Sequence, residues 1–270
     1  MITTESMNQA LLQMGRACLR WLAQWWYIAR LGAQILAWAL LPGSYPRAQR
    51  LETARHLYQA TGPVLLWFSL LSALVSVVLV RIVVVTAQSY GLTPYALEMV
   101  IRVLVLELIP LTAALFVALR CAIPYAAEVA TLRAGGAFDD LLQRGVDPLR
   151  QLVLPRVVAS VFAVLLLAAV SGVVGLVLTY VIVYGFNPYA LPAYTRTVGQ
   201  IFQPAVTLIF SLKTVLFSIA VAVVPMAAAT WTPPEGQSLD QRGSVELQGL
   251  VRMFMLLLLV EMVSLVGNYY

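Results

Sequence analysis

Apolar runs of twenty residues or more recur along this chain, and they restrict its fold more than any other feature. A helix of about 20 apolar residues is long enough to cross the hydrocarbon core of a bilayer. Only 11% of the 270 residues are charged, whereas soluble domains usually contain about 25%. The sequence therefore predicts an all-α integral membrane protein, in which the unit of structure is a helix that spans the bilayer.

Five segments have the length and composition of a membrane span, and we predict a transmembrane helix for each. Their predicted bounds are 63–87, 95–119 with an extension that can reach 132, 155–184, 204–229 and 245–267. Pro94 and Pro204 stand at the starts of the second and fourth segments, where proline suits the first turn of a helix. Together these segments define a five-span domain over residues 63–270.

Residues 1–62 are predicted to form a separate unit, an N-terminal interfacial helix followed by a polar connector. The apolar segment 15–42 is interrupted by three arginines and is rich in tryptophan (Trp21, Trp25, Trp26 and Trp38). Tryptophan prefers the level of the lipid headgroups, and arginine can extend towards it. A helix that lies along the membrane surface is therefore expected. The competing interpretation is a tilted transmembrane helix, which would place Arg30 within the bilayer.

The distribution of basic residues predicts the orientation in the membrane, because short cytoplasmic loops retain arginine and lysine. The connector before the first span and the segment 133–154 are rich in arginine, whereas the loop after the first span has no basic residue. We therefore expect a cytoplasmic N-terminus and a periplasmic C-terminus. Since no transit peptide is visible, the expected location is a bacterial inner membrane. The net charge of +5 reflects these loops, so no nucleic-acid partner is expected.

The segment "GGAFDDLLQRGVDPLR" (135–150) is polar although it joins two apolar spans. The two aspartates at 139–140 would lie in the first turn of a short helix and Arg144 in its last turn, so that their charges match the helix dipole. Gly145 is a helix stop, and Asp147 before a proline is a helix start. This pattern predicts a short, capped cytoplasmic helix that can dock to a partner. An ordinary polar loop is the alternative.

Five motifs occur in an order and at spacings that resemble those of a known family. They are "HLYQATG" before span one, "ELIPLTAALFVALR" (107–120), "AAEVATLRA" (126–134), "GVDPLRQLVLPR" (145–156) and "SLKTVLFSIAV" (211–221). Over residues 30–268 the chain resembles the MlaE permease family, the membrane subunits of lipid-transporting ABC systems that are associated with MCE proteins. The resemblance implies an MlaE-like ABC permease fold.

The resemblance also implies a function and a set of partners. The chain would be the permease subunit of an ABC transporter that moves phospholipid or a related lipid between the inner and outer membranes, and so supports outer-membrane lipid asymmetry. ATP and Mg²⁺ would be bound by a separate ABC ATPase, so this chain would be non-catalytic and carry no cofactor of its own. The other implied partners are a periplasmic hexamer of MCE-domain protein and a second copy of the chain, with a lipid pocket between the copies.

In the family, the short helix that corresponds to residues 135–145 is the coupling helix that docks into the ATPase. The resemblance assigns this contact to Ala137, Phe138, Asp139, Asp140, Leu141, Leu142, Arg144 and Asp147. Glu128 and Arg133 lie near the cytoplasmic end of span two. We expect these two residues to brace the coupling helix.

The chain departs from the family pattern at positions that would shape the lipid pocket. Leu106 and Ile109 stand where the family usually has arginine and glycine on either side of Glu107. Arg81 lies in a stretch of span one that has no glycine, whereas the family is usually glycine-rich there. These departures concern the pocket and the substrate, not the docking segment.

Ionisable residues within a span are expensive and are functional candidates by default. They are Arg81, Glu98, Arg102, Glu107, Glu128, Lys213 and Glu261. Arg81 and Glu98 reach a similar depth near the outer ends of spans one and two and could pair, although Glu98 also has Arg102 four residues later. Glu107 and Lys213 fall nearer the midplane and form a second candidate pair. In the functional interpretation the charges line the lipid path, with Arg81 suited to a phosphate; in the structural one they hold the helices in register.

Two other functions are compatible with these residues. An ion-coupled secondary transporter would use Glu107, Lys213 and Arg81 as a relay, although such folds usually contain internal repeats and broken midplane helices, which are not evident in the sequence. A non-transporting scaffold would tolerate neutral replacement of every charge in the spans. The sequence predicts neither a catalytic set nor a metal site, because its acids are scattered and it has one histidine, His56.

Overall fold

The computed structural model describes the backbone of residues 4–40, 47–231 and 240–269, which is almost entirely helical. Five helical stretches are long and apolar enough to cross a membrane. They are Leu51–Ser89, Tyr95–Ala134, Leu149–Tyr184, Pro204–Thr230 and Leu247–Asn268, and we call them spans one to five. The predicted all-α architecture with five spans is confirmed.

The N-terminal helix, α1 (Thr4–Leu40), packs against the bundle through its C-terminal half. Leu31 and Ile35 are buried in a core shared with Val157 of span three and Val223 of span four. Gly32 lies so close to span four that an added Cβ would be 3.4 Å from a methyl group of Val223. The helix therefore flanks spans three and four. Its placement along the membrane surface stays a prediction.

Helix α2 (Arg47–Ser89) is continuous and contains span one. Residues 47–62 form its first turns, although the sequence analysis predicts a polar connector there. The difference arises from packing, because Ala60 and Thr61 are buried against neighbouring helices. Pro63 lies inside the helix without ending it. Residues 41–46, which include the first residues of the predicted connector, lie outside the described ranges.

Span two is divided into three α-helices, α3 (Thr93–Val100), α4 (Ile109–Val117) and α5 (Ile123–Ala134). Two wider π-helical stretches join them, Ile101–Leu108 and Ala118–Ala122. The α-helix after each π stretch has proline as its second residue, Pro110 in α4 and Pro124 in α5. Proline lacks an amide hydrogen and its ring clashes with the carbonyl four residues earlier, and a wider turn relieves both problems. The prolines thus account for the interrupted geometry of span two.

Five more α-helices follow span two in the described chain. They are α6 (Ala137–Gln143), α7 (Leu154–Tyr184), α8 (Leu191–Ile201), α9 (Pro204–Thr230) and α10 (Asp240–Tyr269). A third π stretch, Leu149–Val153, leads into α7, which again has proline as its second residue. The region of α8 lies between the third and fourth predicted spans, where the sequence analysis predicts no helix. It is helical because Tyr194 and Ile201 are buried against the ends of the spans.

Small residues allow the spans to approach closely. Ala113 and Ala114 of span two and Ala159 and Ala163 of span three are fully buried in the largest core cluster. Spans four and five are closer still, because a Cβ added to Gly249 would lie 2.6 Å from the Cβ of Ala228. Close backbone approach is how helices gain packing energy in a membrane, where burial of apolar surface contributes little.

Candidate functional site

The predicted docking helix is α6, a helix of seven residues between spans two and three. It begins after Gly136, whose φ of +80° places the chain in the left-handed region that glycine tolerates best. It ends in a Schellman motif at Gly145, which has a φ of +72°. There the amide of Gly145 donates to the Leu142 carbonyl at 3.0 Å, and the amide of Val146 donates to Leu141 at 3.0 Å. Both ends of the helix are therefore defined by glycine.

The next helix begins at the predicted start. The Asp147 carboxylate accepts a hydrogen bond of 2.9 Å from the Leu149 amide, as an N-terminal capping residue does. The side chains of Asp139 and Asp140 lie in the first turn of α6, and Arg144 follows its last residue. The charges thus follow the helix dipole, as the sequence analysis predicts.

The predicted docking residues divide into an exposed and a partly buried group. The exposed group can meet a partner and consists of Asp139, Asp140, Leu142, Arg144 and Asp147. Ala137, Phe138 and Leu141 are partly buried. The Phe138 ring packs against the core shared by α1, span three and span four, and the Arg133 guanidinium lies 6.0 Å from its centroid. Phe138 therefore supports the helix from its buried side and contributes little to its outer surface.

The two predicted bracing residues act on different neighbours. Glu128 forms a two-point ion pair with Arg156 of α7, with Nε–Oε2 and Nη2–Oε1 distances of 3.2 and 3.0 Å. Arg156 is buried and also donates to the Leu152 carbonyl at 2.6 Å. This pair joins spans two and three at the base of the docking segment. The sequence analysis did not identify Arg156 as a partner, although it lies in the quoted motif "LPR".

Arg133 contacts the end of span four. Its Nη1 donates to the carbonyl oxygens of Thr230 and Trp231, at 2.6 and 2.9 Å. Tyr27 of α1 donates to the Thr230 hydroxyl at 3.1 Å, and its ring meets that of Trp231 edge to face. Two elements, α5 and α1, therefore converge on the last turn of α9. No sequence pattern indicated this convergence.

Glu107 and Lys213, the predicted midplane pair, form an ion pair between spans two and four. Lys213 is also 2.8 Å from a carboxylate oxygen of Glu261 in span five. Asn268 donates to the other oxygen of Glu107 at 3.2 Å. The Lys213 side chain is only 1% exposed. We call these four residues the buried charge cluster, which links three spans and contains one more acid than base.

Pro110 explains a further contact of Lys213. A proline cannot donate to the carbonyl four residues earlier, which here belongs to Leu106. The Lys213 Nζ donates to that carbonyl at 3.3 Å. An unpaired carbonyl within the bilayer would be costly. Lys213 thus pairs with the two acids and also donates a hydrogen bond to the backbone of span two where the helix is interrupted.

The remaining charged candidates lie towards the other end of spans one and two. Glu98 pairs with Arg102 on its own helix, with an Nε–Oε1 distance of 2.9 Å. Arg81 is exposed on α2 and makes no ion pair with the residues that the structure describes. Of the two partners that the sequence analysis considers for Glu98, Arg102 forms the pair and Arg81 does not, because Arg102 lies one turn along the same helix. Arg81 is surrounded by the exposed apolar residues Val77, Val78 and Val85.

An apolar groove of about 620 Å³ lies between α1, α7 and α9. Leu36 of α1, Phe162 and Leu165 of α7, and Leu216 of α9 are among its lining residues. Such a groove can hold a hydrocarbon chain but offers it almost no hydrogen-bond partner. Sequence reasoning did not predict it, because it depends on how α1 is seated.

Outside the spans, Tyr194 of α8 is held by the end of span three. Its hydroxyl donates to the Leu176 carbonyl at 2.8 Å, and its ring stacks near those of Tyr180 and Tyr184. Burial raises the pKa of Tyr194 to about 12, and the neighbouring Tyr184 adds to the shift. The described part of the chain contains no cluster of histidine, cysteine and acidic residues that could hold a metal ion.

Comparisons with known proteins agree with this architecture. The family model described as permease MlaE matches residues 53–266. A probable ABC transporter permease protein of Rickettsia prowazekii (strain Madrid E) is 28% identical over 147 residues, and one of Rickettsia conorii (strain ATCC VR-613 / Malish 7) is 28% identical over 148 residues. Each alignment covers 52% of this chain and 57% of the relative, so the chain spans little more than half the length of the curated relatives it matches.

Proposed function

Because this chain belongs to the MlaE permease family, we propose that it is the membrane subunit of an ABC transporter that moves phospholipid or a related lipid between the inner and outer membranes of a bacterium. The observation that carries this proposal is helix α6, which is capped by glycine turns at both ends and lies between two spans within the matched region. A short, defined helix in this position is suited to receive force from a partner.

The ATPase would be a separate chain. This sequence has no G-x-x-x-x-G-K-[ST] loop, and its one lysine, Lys213, is buried in span four, where it cannot bind a nucleotide phosphate. The exposed residues of α6 and the turn after it combine charge (Asp139, Arg144 and Asp147) with apolar surface (Leu142 and Val146). Such a mixed surface fits a protein partner. ATP and Mg²⁺ would be held by that partner, and this chain would be non-catalytic.

The other proposed partners are a second copy of the chain and a hexamer of MCE-domain protein in the periplasm. Span one supports a partner within the membrane, because only 22% of its most apolar window is buried inside the chain. Leu66, Trp67, Leu70 and Leu74 are among its exposed residues. With five spans the termini would lie on opposite sides, and we propose a cytoplasmic N-terminus and a periplasmic C-terminus at the inner membrane.

Arg81, Glu98 and Arg102 are the proposed contacts of the lipid headgroup. An arginine on an apolar membrane surface needs an anionic partner, and a phosphate accepts its planar guanidinium well. The Glu98–Arg102 pair is partly exposed at 45% and 28% and could exchange its internal contact for one to a headgroup. The apolar groove beside α1 would suit an acyl chain. We assign the buried charge cluster a mainly structural role, since its members already have partners.

The test of the proposed function is purification of the tagged full chain from native membranes in mild detergent, with mass spectrometry of the bound proteins and lipids. We expect an ABC ATPase, an MCE-domain protein and phospholipid. Asp139→Asn and Arg144→Gln should each reduce the ATPase recovered by about tenfold, while Arg55→Gln, an exposed arginine without an assigned role, should not. Recovery of the chain without an ATPase would overturn the proposal.

One observation favours a second function. The second carboxylate on Lys213, that of Glu261, gives the buried charge cluster an unequal number of acids and bases. An ion-coupled secondary transporter would use such a group, together with Glu107, Lys213 and Arg81, as a relay. Lipid movement in proteoliposomes that persists without ATP and stops when an ionophore dissipates the ion gradient would establish this alternative.

A further inference from the structure

The last turn of span four is the point where the docking segment meets the rest of the bundle. The final carbonyl groups of a helix have no partner within it, and they attract positive charge. In α9 the Thr230 carbonyl is in this position, and the Arg133 guanidinium donates to it at 2.6 Å. The same nitrogen donates to the Trp231 carbonyl just beyond the helix at 2.9 Å. Arg133 therefore caps span four from outside.

Arg133 is also close to the docking helix. It is the second-to-last residue of α5, and only Gly135 and Gly136 separate α5 from α6. Its guanidinium lies 6.0 Å from the centre of the Phe138 ring, at the outer limit of a cation–π contact. A single side chain thus touches the docking helix on one side and the end of span four on the other.

The end of span four also contacts α1. Tyr27 donates to the Thr230 hydroxyl at 3.1 Å, and its ring centre lies 5.0 Å from that of Trp231. The Thr230 hydroxyl in turn donates to the Met226 carbonyl at 2.8 Å within the same helix. Movement of the last turn of α9 would therefore also displace α1.

Span four also carries Lys213, the centre of the buried charge cluster. Lys213 and Thr230 lie on one helix, about 25 Å apart at a rise of ~1.5 Å per residue. Met226 and Ala227 pack the last turns of α9 into a core with Val129 of α5. A shift applied at Thr230 can therefore reach the middle of the membrane through one packed element.

We propose that Arg133 is the positioning residue through which movement of the docking helix reaches span four and α1. The inference rests on the proposed function, because it takes α6 to be the site where the ATPase acts. It assigns Arg133 to coupling rather than to ATPase binding, since its guanidinium is directed at span four and the partly buried Phe138. Glu128 does not share this role, because it ties span two to Arg156 of span three instead.

The test compares Arg133→Gln with wild type in complexes purified from native membranes and reconstituted in proteoliposomes that contain fluorescently labelled phosphatidylglycerol. Three quantities are measured: the ATPase recovered with the chain, the rate of ATP hydrolysis, and the lipid moved per ATP hydrolysed. We expect recovery and hydrolysis within about twofold of wild type and a loss of tenfold or more in lipid moved per ATP. Arg55→Gln, which removes the same charge at the same end of the bundle, is the matched control and should keep the wild-type ratio.

A conservative variant keeps the test decisive if Arg133→Gln fails to fold. Arg133→Lys retains the charge, but lysine lacks the planar guanidinium and its terminal nitrogen lies one bond nearer the backbone than Nη1, so it would reproduce the two carbonyl contacts and the position beside the ring only in part. We expect an intermediate ratio of lipid to ATP, about threefold below wild type. A wild-type ratio in the lysine variant, or in the glutamine variant where it folds, would overturn the role of Arg133 alone. Failure of the wild-type chain to retain an ATPase would instead overturn the proposed function, and the inference with it.

Discussion

Lys213 is a buried cation in the membrane part of the chain, and its burial depends on the partners around it. Its ammonium serves Glu107, Glu261 and the Leu106 carbonyl freed by Pro110. Removal of one member of a buried ion pair is far more harmful than replacement of the whole set, because the partner charge is left in a medium of low dielectric constant. The consequence of a substitution at this residue therefore depends on what remains around it.

We expect Lys213→Met to destabilise the folded chain by ~3–5 kcal/mol, because the buried carboxylate of Glu107 and the partly buried one of Glu261 would lose their counter-ion. The measurement is thermal unfolding in detergent with circular dichroism. The triple variant that adds Glu107→Gln and Glu261→Gln should recover most of the lost stability. If the single and triple variants are equally unstable, the pairing of the charges is not what stabilises the cluster.

At the scale of the element, the docking helix depends on its backbone as well as on its charged side chains. Gly145 adopts a φ of +72° with open space around it, so a side chain there would meet strain in the backbone and no steric contact. Gly135 has a φ of −79° and ends the helix before the turn. Gly135 and Gly145 thus differ in the sign of φ, which decides the shape of the turn that each residue forms.

Gly145→Ala should destabilise the end of α6 by about 1 kcal/mol, since alanine is strained at positive φ. A helix end that is less well defined should lower the affinity for the ATPase several-fold, measured by titration of the purified ATPase in detergent. Gly135→Ala is the matched control, because its new Cβ would be 3.5 Å from the nearest oxygen, an ordinary contact, and it should leave the affinity unchanged. Equal affinities for the two variants would count against a docking role for the Gly145 turn.

At the scale of the whole molecule, the arrangement has two separate polar regions joined by apolar helices. The docking segment and its supports, Glu128–Arg156 and Arg133, lie at one end of the bundle. The exposed Arg81 and the Glu98–Arg102 pair lie towards the other end. The buried charge cluster, which links spans two, four and five, is between them. This order is suited to a protein in which force enters at one face and a ligand is handled near the other.

The proposed orientation can be checked in intact cells. In a background with Cys18→Ser and Cys121→Ser, Arg55→Cys should be shielded from a membrane-impermeant maleimide, and Tyr189→Cys should be labelled. Both positions are exposed in the folded chain, so a difference in labelling reports the side of the membrane and not burial. Labelling of Arg55→Cys in intact cells would reverse the orientation that the arginine distribution predicts.

Features that depend on local chemistry could be predicted from the amino-acid sequence. Span positions follow from the length of apolar segments, and the ends of α6 follow from glycine and aspartate at set positions. The Glu107–Lys213 contact was also predictable, because two opposite charges at similar depth in a bilayer have few other partners. The family resemblance came from motifs of the same local kind, and the match over residues 53–266 bears it out.

Which helices face each other could not be predicted from the sequence, because it depends on how the whole chain packs. The tertiary structure added Glu261 to the Lys213 site, paired Glu128 with Arg156, and directed Arg133 to the end of span four. It also made residues 47–62 helical through burial of Ala60 and Thr61. The position of a residue along its span predicts its depth in the membrane, so two charges can be placed at the same level. Which of these charges form a pair depends on the rotation of each helix about its axis. That rotation is set by close packing of small residues from several spans at once, which no single segment encodes.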